Sequence, residues 1–247
     1  MRQILRRIGW TLIWGALLIF AFLGYQLFLT DILNGRLQAE AQADLASELA
    51  ERRVDLPEPE VVTVDVTVPD TTDTTAPDTP TTTLPRVDYI REEAGEEGST
   101  LGRLVIPSLE VDEVTFEGVS RETLKMGPGH MPGTPVPGQP GNAVLSGHRT
   151  TYGRPFFDLD QLEAGDRIEV ETATGLHVYE VRRSVIVEPD DVWVIEPIAG
   201  AWLTLTTCHP QFSAAERLII QAELVEGPNL EYANLLAGTA EGREEAT

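Results

Sequence analysis

Cysteine is almost absent from this chain of 247 residues, which contains one, Cys208. A single cysteine excludes a disulfide within the chain, and it cannot supply the paired thiolates that close most structural zinc sites. The four histidines lie in distant segments without metal-ligand spacing, so we expect no metal and no other cofactor. A lone thiol is either buried and inert, linked to another chain, or retained for its chemistry.

Basic residues are also scarce, with 18 Lys and Arg against 40 Asp and Glu and a formal net charge of -22. Such an acidic surface repels a phosphate backbone, which argues against a nucleic-acid partner. The chain also lacks a glycine-rich phosphate loop of the GxxxxGK type and a GxSxG nucleophile elbow. These absences disfavour a nucleotide-binding enzyme and a serine hydrolase of the elbow type.

The longest apolar run lies near the N-terminus, where Ile8 to Leu29 form 22 residues without a charge. At about 1.5 Å per residue, a helix of this length reaches about 33 Å, enough to cross a bilayer core of roughly 30 Å. Three arginines precede the run, so the positive-inside rule predicts a cytoplasmic N-terminus and an extracytoplasmic remainder. Residues 1–30 are thus predicted to be a cytoplasmic tip and a single-pass plasma-membrane anchor; the alternative, a cleaved signal peptide, usually has a shorter apolar region.

Two segments are predicted to connect the anchor to the domain. Residues 31–56 are rich in Ala, Leu, Glu and Gln and carry four apolar residues at four-residue spacing, from Leu37 to Leu49. This pattern predicts a juxtamembrane amphipathic helix that packs on the domain or on a partner. Residues 57–98 are dominated by Thr, Pro, Asp and Glu, a composition that predicts an extended, disordered acidic linker without a core.

From about Thr100 to Val225, short apolar and β-branched runs are separated by Gly, Pro and Asp turns. No regular helical pattern lies between these runs, so they predict an all-β domain, an antiparallel or mixed β-barrel rather than a parallel α/β sheet. Residues 99–230 are long enough to enclose a core and are assigned as the catalytic domain. Phe157 to Leu162 is predicted to be a short helix, and residues 231–247 a peripheral polar tail.

Three residues are candidates for catalysis because they lie at predicted strand ends. Cys208 ends the strand TLTTC just before Pro210, which cannot continue a central ladder, so the thiol is predicted at the barrel rim. His148 ends the strand NAVLSG beside a glycine, and Arg217 begins the next strand after a short excursion from Cys208. We predict nucleophile, acid/base and oxyanion-stabilising roles for Cys208, His148 and Arg217. The alternatives are an incidental buried cysteine, a satisfied loop histidine and a surface ion pair of the arginine.

The other histidines are weaker candidates. His209 follows Cys208 directly, and neighbours on an extended strand point to opposite faces, so we interpret it as a loop or surface residue. His177 alternates with Tyr179 along a predicted strand and is interpreted as structural or solvent-facing. His130 lies in a loop rich in Gly and Pro, where a local structural role is favoured over a secondary substrate contact.

The chain resembles the sortases in three runs: GPGHMPGTPVPGQPGNAVLSGHRTTYGRPFFDLDQLEAGDRIEV, LTLTTCHP and RLII. The second contains the TLxTC motif, with a histidine before it and an arginine after it, and the similarity covers about Leu101 to Val225. Three motifs in the right order are far more specific than one. The SGHRTTYG and TTCHP versions, together with the acidic linker and the N-terminal anchor, look most like actinobacterial class E sortases.

The resemblance implies an eight-stranded sortase-type β-barrel with short helices, in which Cys208, His148 and Arg217 occupy the catalytic positions. It also implies cleavage of a C-terminal LAXTG- or LPXTG-like sorting signal between Thr and Gly, and transfer of the secreted protein to an amine of a cell-wall precursor or a pilin. Thr207, His130 and Tyr152 are the expected substrate contacts, although Thr207 is equally well an ordinary strand residue. No calcium-binding cluster is evident.

Two other functions remain open. A cysteine hydrolase of peptide or peptidoglycan bonds would use the same residues but deliver the acyl group to water. A non-catalytic, wall-associated binding module could keep the fold without turnover.

Overall fold

The computed structural model describes residues 2–25, 30–62 and 87–244 of the chain. Helix α1 (Arg2–Gly24) contains the stretch Arg2–Phe22, which is long and apolar enough to cross a membrane and has none of its surface buried by the rest of the protein. By length and composition α1 therefore qualifies as a single membrane span. The end of the predicted span, residues 26–29, lies outside the described residues, and the orientation remains a prediction.

Eight strands close into one barrel, which confirms the predicted all-β fold. The barrel strands are β3 (Thr100–Ile106), β4 (Val111–Glu117), β5 (Gly129–His130), β6 (Gly141–Ser146), β7 (Arg167–Thr172), β8 (Gly175–Val187), β9 (Ala201–His209) and β10 (Glu216–Glu226). Around the barrel they follow the order β10-β8-β7-β3-β4-β5-β6-β9. The pairs β4–β5 and β6–β9 are parallel, and the other pairings are antiparallel. The sheet is therefore mixed, one of the two arrangements that the sequence left open.

Alternation along the strands separates the barrel interior from its outer face. In β10, Leu218, Ile220 and the alternate residues after them belong to the buried core, so the residues between them, such as Arg217, face outward. In β9, Leu203 and Leu205 belong to the same core. The interior is thus filled mainly by aliphatic side chains, together with the rings of Phe156 and Tyr179.

The helices of the domain are short. Helix α3 (Arg121–Met126) begins after Ser120, whose Oγ accepts a hydrogen bond from the backbone N–H of Thr123 at 3.2 Å, an N-cap that satisfies one free donor. The predicted helix at Phe157 to Leu162 is a single 3₁₀ turn, Leu159–Gln161. Two further 3₁₀ turns are Pro107–Leu109 and Val192–Ile195.

Helix α2 (Thr30–Val54) packs along the outside of β4. Leu45 and Leu49 form a small buried cluster with Val114 and Phe116, so the helix uses the domain as its partner. The predicted apolar stripe is wrong at Leu37, whose side chain is 44% exposed. The buried face there carries Asn34 and Gln38 instead, which are buried because they satisfy backbone groups of β4 and α3.

The predicted linker is shorter than residues 57–98. Strand β1 (Glu60–Val62) pairs with β2 (Val87–Tyr89), and the part of the linker between them, residues 63–86, lies outside the described residues. After β2 the chain docks on the barrel, where buried Glu92 forms an ion pair with Arg52 of α2. A buried acid is stable only beside a partner such as a cation. Composition could not predict this contact, because the partner, Arg52, lies 40 positions away in the sequence.

The C-terminal tail is also less peripheral than predicted. It forms helix α4 (Leu230–Glu244), in which Ala233 is buried against the barrel core. The ring of Tyr232 stacks on Tyr89 with 4.6 Å between the ring centroids. The first turns of α4 therefore belong to the folded domain.

Candidate active site

The antiparallel pairing of β9 and β10 places two of the candidate residues side by side. Cys208 lies directly opposite Arg217 in the register, so their side chains leave the sheet on the same face. Opposite residues in such a pair have Cβ atoms about 5 Å apart. A guanidinium charge is thus placed beside the thiol by backbone pairing.

The parallel pairing of β6 and β9 brings the third residue to the same row. Ser146 pairs with Thr206, and the ladder continues through a hydrogen bond from the backbone N–H of Gly147 to the carbonyl of Thr206 at 3.1 Å. This register predicts that His148, two residues beyond Ser146 and the end of β6, lies level with Cys208, two residues beyond Thr206. Since neighbouring strands lie about 4.8 Å apart, we expect the imidazole, thiol and guanidinium to form one row that runs from the end of β6 across β9 to β10.

The row lies on the outer face of the barrel. Leu205 points into the core, and the side chain of Cys208, three positions later, points to the opposite face. The thiol is half-buried. Cys208 lies near the end of β9, as predicted. The predicted barrel rim did not specify a face, and the side chains of Cys208 and Arg217 point to the outer surface rather than into the mouth of the barrel.

His148 sits in a partly dry environment. Its ring lies 5.1 Å from the ring of Tyr152, centroid to centroid, and burial lowers the pKa of the imidazole, since desolvation disfavours the charged form. The Nε2 atom is buried and has no hydrogen-bond partner among the described residues. A buried ring nitrogen without a partner is costly unless a ligand or reacting group uses it.

Glycine before His148 lets the strand end pack closely on the core. A Cβ atom at Gly147 would lie 2.6 Å from the ring of Phe156, which is fully buried. Any larger residue would push the His148 backbone away from β9. The sequence signal, a small residue beside the candidate histidine, thus has a steric reason.

Arg217 is anchored by one end of its guanidinium. Nη1 donates hydrogen bonds to the carbonyls of Ala214 at 3.1 Å and Glu216 at 2.9 Å, both at the turn between β9 and β10. For Nε and Nη2 the described residues offer no hydrogen-bond acceptor. Within the described part of the chain Arg217 forms no ion pair with Glu216 or another acid, and its remaining N–H groups are available for an anion beside Cys208.

Sequence reasoning missed Arg149, which links the histidine loop to the cysteine strand. Its side chain is 1% exposed and forms an ion pair with Asp160 at 2.7 Å. Nη1 lies 2.9 Å from His209 Nδ1 and donates to the carbonyl of Cys208 at 3.4 Å, and Nε donates to the carbonyl of Phe157 at 3.2 Å. The sequence did contain one usable signal: Arg149 follows His148 directly. Neighbours in an extended segment point to opposite faces, so a basic side chain was to be expected behind the histidine.

Two of the expected substrate contacts are contradicted by burial. Thr207 is 3% exposed, lies on the inner face, and donates its hydroxyl hydrogen to the carbonyl of Gly147 at 2.7 Å. His130 is 0% exposed, with Nδ1 2.6 Å from a carboxylate oxygen of Glu117 and Nε2 2.9 Å from the carbonyl of Pro135. Neither side chain can reach a substrate, so both are structural.

The remaining candidates are Tyr152, His209 and His177, and only Tyr152 lies where a substrate could contact it. Tyr152 stays a predicted substrate contact, since its ring is only partly buried beside His148. His209 is held by Arg149 behind the cysteine and does not join the row. His177 is fully buried with Nε2 near two threonine hydroxyls, so of its two interpretations the structural one holds.

The outer face of β6, β9 and β10 forms a floor that leads away from the row. Its far end is closed by the 3₁₀ turn Val192–Ile195, because the amides of Asn142 and Gln221 both donate to the carbonyl of Val194, at 3.0 and 3.2 Å. Along the strands, Gln221 is four residues from Arg217 and Asn142 is six residues from His148, distances of roughly 13 and 20 Å. Val144, Thr204 and Ile219 on this face are buried, so its accessible part is the end nearest Cys208, at Ser146 and Thr206.

Known proteins resemble the chain over the barrel. The sortase family, described as a sortase domain, matches residues 104–225. The curated Sortase SrtE1 of Streptomyces coelicolor is 35% identical over 147 residues, which cover 53% of this chain and 42% of the relative. Sortase D of Bacillus subtilis is 35% identical over 135 residues, which cover 53% of this chain and 66% of the relative. The chain spans about half the length of the curated relatives it matches.

Solved structures of sortases also resemble the chain. A sortase E mutant from Streptomyces avermitilis is 34% identical with a TM-score of 0.50, and the match covers 53% of this chain and 91% of that one. Clostridium perfringens sortase C with the C-terminal cell wall sorting motif is 30% identical with a TM-score of 0.51, covering 53% of this chain and 73% of that one.

Proposed function

Because this chain belongs to the sortase family, we propose that it is a membrane-anchored cysteine transpeptidase that joins secreted proteins to a cell-wall or pilin amine. Its relatives include sortases of class E. The observation that carries the proposal is the register of β6, β9 and β10, which pairs Cys208 with Arg217 and leads from Ser146 to His148 beside them on the outer face. A related sortase C carries a C-terminal cell wall sorting motif in its structure.

The proposed first step is acylation. The sulfur of Cys208 attacks the carbonyl carbon of the signal threonine, and the thiol proton passes to His148. Negative charge develops on the carbonyl oxygen, where the unpaired N–H groups of Arg217 stabilise it. The C–N bond to glycine then breaks, and His148 returns the proton to the departing amine, which leaves a thioester on Cys208.

The proposed second step transfers the acyl group. An amine of the cell-wall precursor or pilin attacks the thioester carbonyl, loses a proton to His148, and forms an amide as the C–S bond breaks. The sulfur recovers its proton, so the enzyme is unchanged. The half-dry setting of His148 favours transfer over hydrolysis by limiting the water near the thioester.

A peptide ligation assay tests this function. The full chain in lipid nanodiscs is incubated with an LAXTG peptide, an LPXTG peptide or a scrambled peptide, with and without an amine acceptor. We expect a ligated product for a sorting peptide, and a mass increase on Cys208 that equals the peptide acyl fragment. Hydrolysis alone at high amine concentration would favour the cysteine hydrolase, and binding without either product would favour the non-catalytic module.

Arg149 provides a second prediction. Arg149→Met keeps most of the side-chain volume but removes the bonds to the Cys208 carbonyl, His209 and Asp160. We expect kcat/KM for peptide cleavage to fall by about 10- to 100-fold, since small misplacements of reacting groups have effects of this size. Asp160→Asn is the matched control, because asparagine keeps a side-chain oxygen as acceptor for the guanidinium and leaves the bonds to the Cys208 carbonyl and His209 in place. Equal rates for both variants would contradict the linking role.

A further inference from the structure

The loop that follows His148 is held by helix α2. Asp31, in the first turn of α2, accepts a hydrogen bond from the backbone N–H of Gly153 at 3.1 Å. The other carboxylate oxygen of Asp31 lies 3.2 Å from Arg154 Nε. One carboxylate of α2 therefore binds two successive residues of the loop, across more than a hundred positions of sequence.

Residues 152–154 of this loop, the part bound by Asp31, have unfavourable backbone dihedral angles. Tyr152, Gly153 and Arg154 all have positive φ, at 52°, 77° and 54°. Such angles are rare for side chains other than glycine, and runs of them persist only where surrounding contacts determine them. Released from those contacts, this loop would relax to a commoner conformation.

Close packing against α2 supplies the second restraint. A Cβ atom at Gly153 would lie 2.0 Å from Oδ1 of Asn34, so the two groups touch with no space between them. The same asparagine donates from Nδ2 to the carbonyls of Lys125 at 2.9 Å and Met126 at 3.0 Å. Asn34 thus joins the loop to the end of α3.

The loop conformation decides what surrounds His148. The ring of Tyr152 covers the imidazole at 5.1 Å, and Lys125 Nζ lies 6.0 Å from the centroid of the same tyrosine ring. The charged groups near His148 include Arg217 in its row and Lys125 beyond the tyrosine. Movement of the loop would expose the imidazole to water and change its distance from both charges.

We propose that Asp31 and Asn34 are positioning residues, through which the membrane-proximal end of α2 holds Tyr152 over the catalytic His148. This inference rests on the proposed function, because it assigns α2 a role in the chemistry of that site. Asp31 is seven positions after Gly24 of α1, so the same contact ties the active-site loop to the part of the chain nearest the membrane span.

The test measures His148 directly, in the full chain in lipid nanodiscs, by NMR titration of labelled histidine. In Asp31→Ala we expect the pKa of His148 to rise, since the released loop admits water to a ring whose pKa burial lowers. We expect kcat/KM for a sorting peptide to fall about tenfold. Arg53→Ala is the matched control; Arg53 also joins α2 to the barrel, through Nε and the carbonyl of Ala173 at 3.0 Å, but at the other end of the helix.

Two further variants separate positioning from folding. Asp31→Asn keeps an acceptor for Gly153 but loses the charge facing Arg154, and we expect a smaller effect in the same direction. Tyr152→Ala should also raise the pKa of His148, and adding Asp31→Ala to it should change little more, as expected for residues that act through one contact.

The outcomes are distinct from those of the ligation assay. A His148 pKa that is the same in Asp31→Ala and in Arg53→Ala, with circular dichroism showing folded protein, overturns the inference. The titration needs no substrate, so it gives this answer even if the chain cleaves no sorting peptide. Failure to cleave any peptide would instead count against the proposed function.

Discussion

Replacing Cys208 with alanine is expected to lower the rate of sorting-peptide cleavage by about 10⁴-fold or more, to the background of the assay. The proposed mechanism has one nucleophile, and loss of a nucleophile in a comparable catalytic unit has effects of at least this size. The chain contains no second cysteine that could replace it. The measurement is the initial rate of cleavage of a fluorogenic sorting peptide by the full chain.

The fold should survive this change. Cys208 is half-buried on the outer face and not in the barrel core, so its truncation is expected to alter the free energy of unfolding by about 0.5 kcal/mol. Cys208→Ala should also keep its affinity for the peptide, measured by fluorescence polarisation. Turnover that persists in this variant would contradict Cys208 as the nucleophile, and lost binding with lost turnover would point to misfolding.

The sequence was a good guide to the strands and to the order of the candidate residues along them. Turn residues mark strand ends by local backbone chemistry, so the positions of Cys208 and His148 could be predicted. Pairing partners could be predicted only for neighbours in sequence, as for β9 and β10. The parallel pair β6–β9, which brings His148 into the row, joins strands separated by more than fifty residues and has no local signature.

Burial of polar residues was the main source of error. Thr207 and His130 were named as substrate contacts, each with a structural alternative, and the structural one holds because another group satisfies each buried side chain, Gly147 in one case and Glu117 in the other. Arg149 was overlooked for the same reason, since its partners come from two separate segments, 157–160 and 208–209. Composition identifies polar side chains but not their partners, and the partners decide whether burial is tolerated.

Replacing His148 with alanine has the second largest expected effect, a fall of about 10²- to 10⁴-fold in kcat/KM for an amide peptide. This range is typical for removal of a positioned general acid or base. Two functions are lost together: acceptance of the thiol proton before attack and protonation of the departing glycine amine. The measurement is amide cleavage at neutral pH, with the variant and the unmodified chain compared at equal concentration.

The pH dependence follows from the environment of His148. Burial lowers its pKa below the ordinary value of 6.5, so the imidazolium that protonates the leaving amine becomes more populated as pH falls, and at neutral pH it is the minor form. Thiolate becomes more populated as pH rises. The product of the two gives a bell-shaped profile for kcat/KM, whose limb set by the imidazole should be missing in His148→Ala.

An activated ester isolates the general-acid role. A sorting-peptide p-nitrophenyl ester has a leaving group that needs no proton, and at pH 10 thiols ionise without a base. Under these conditions His148→Ala should approach the rate of the unmodified chain, while its amide cleavage remains defective. The ratio of ester to amide rates serves as the control, because misfolding would lower both. A histidine variant with equal losses on ester and amide would contradict proton donation by His148 and leave only a structural part for the imidazole.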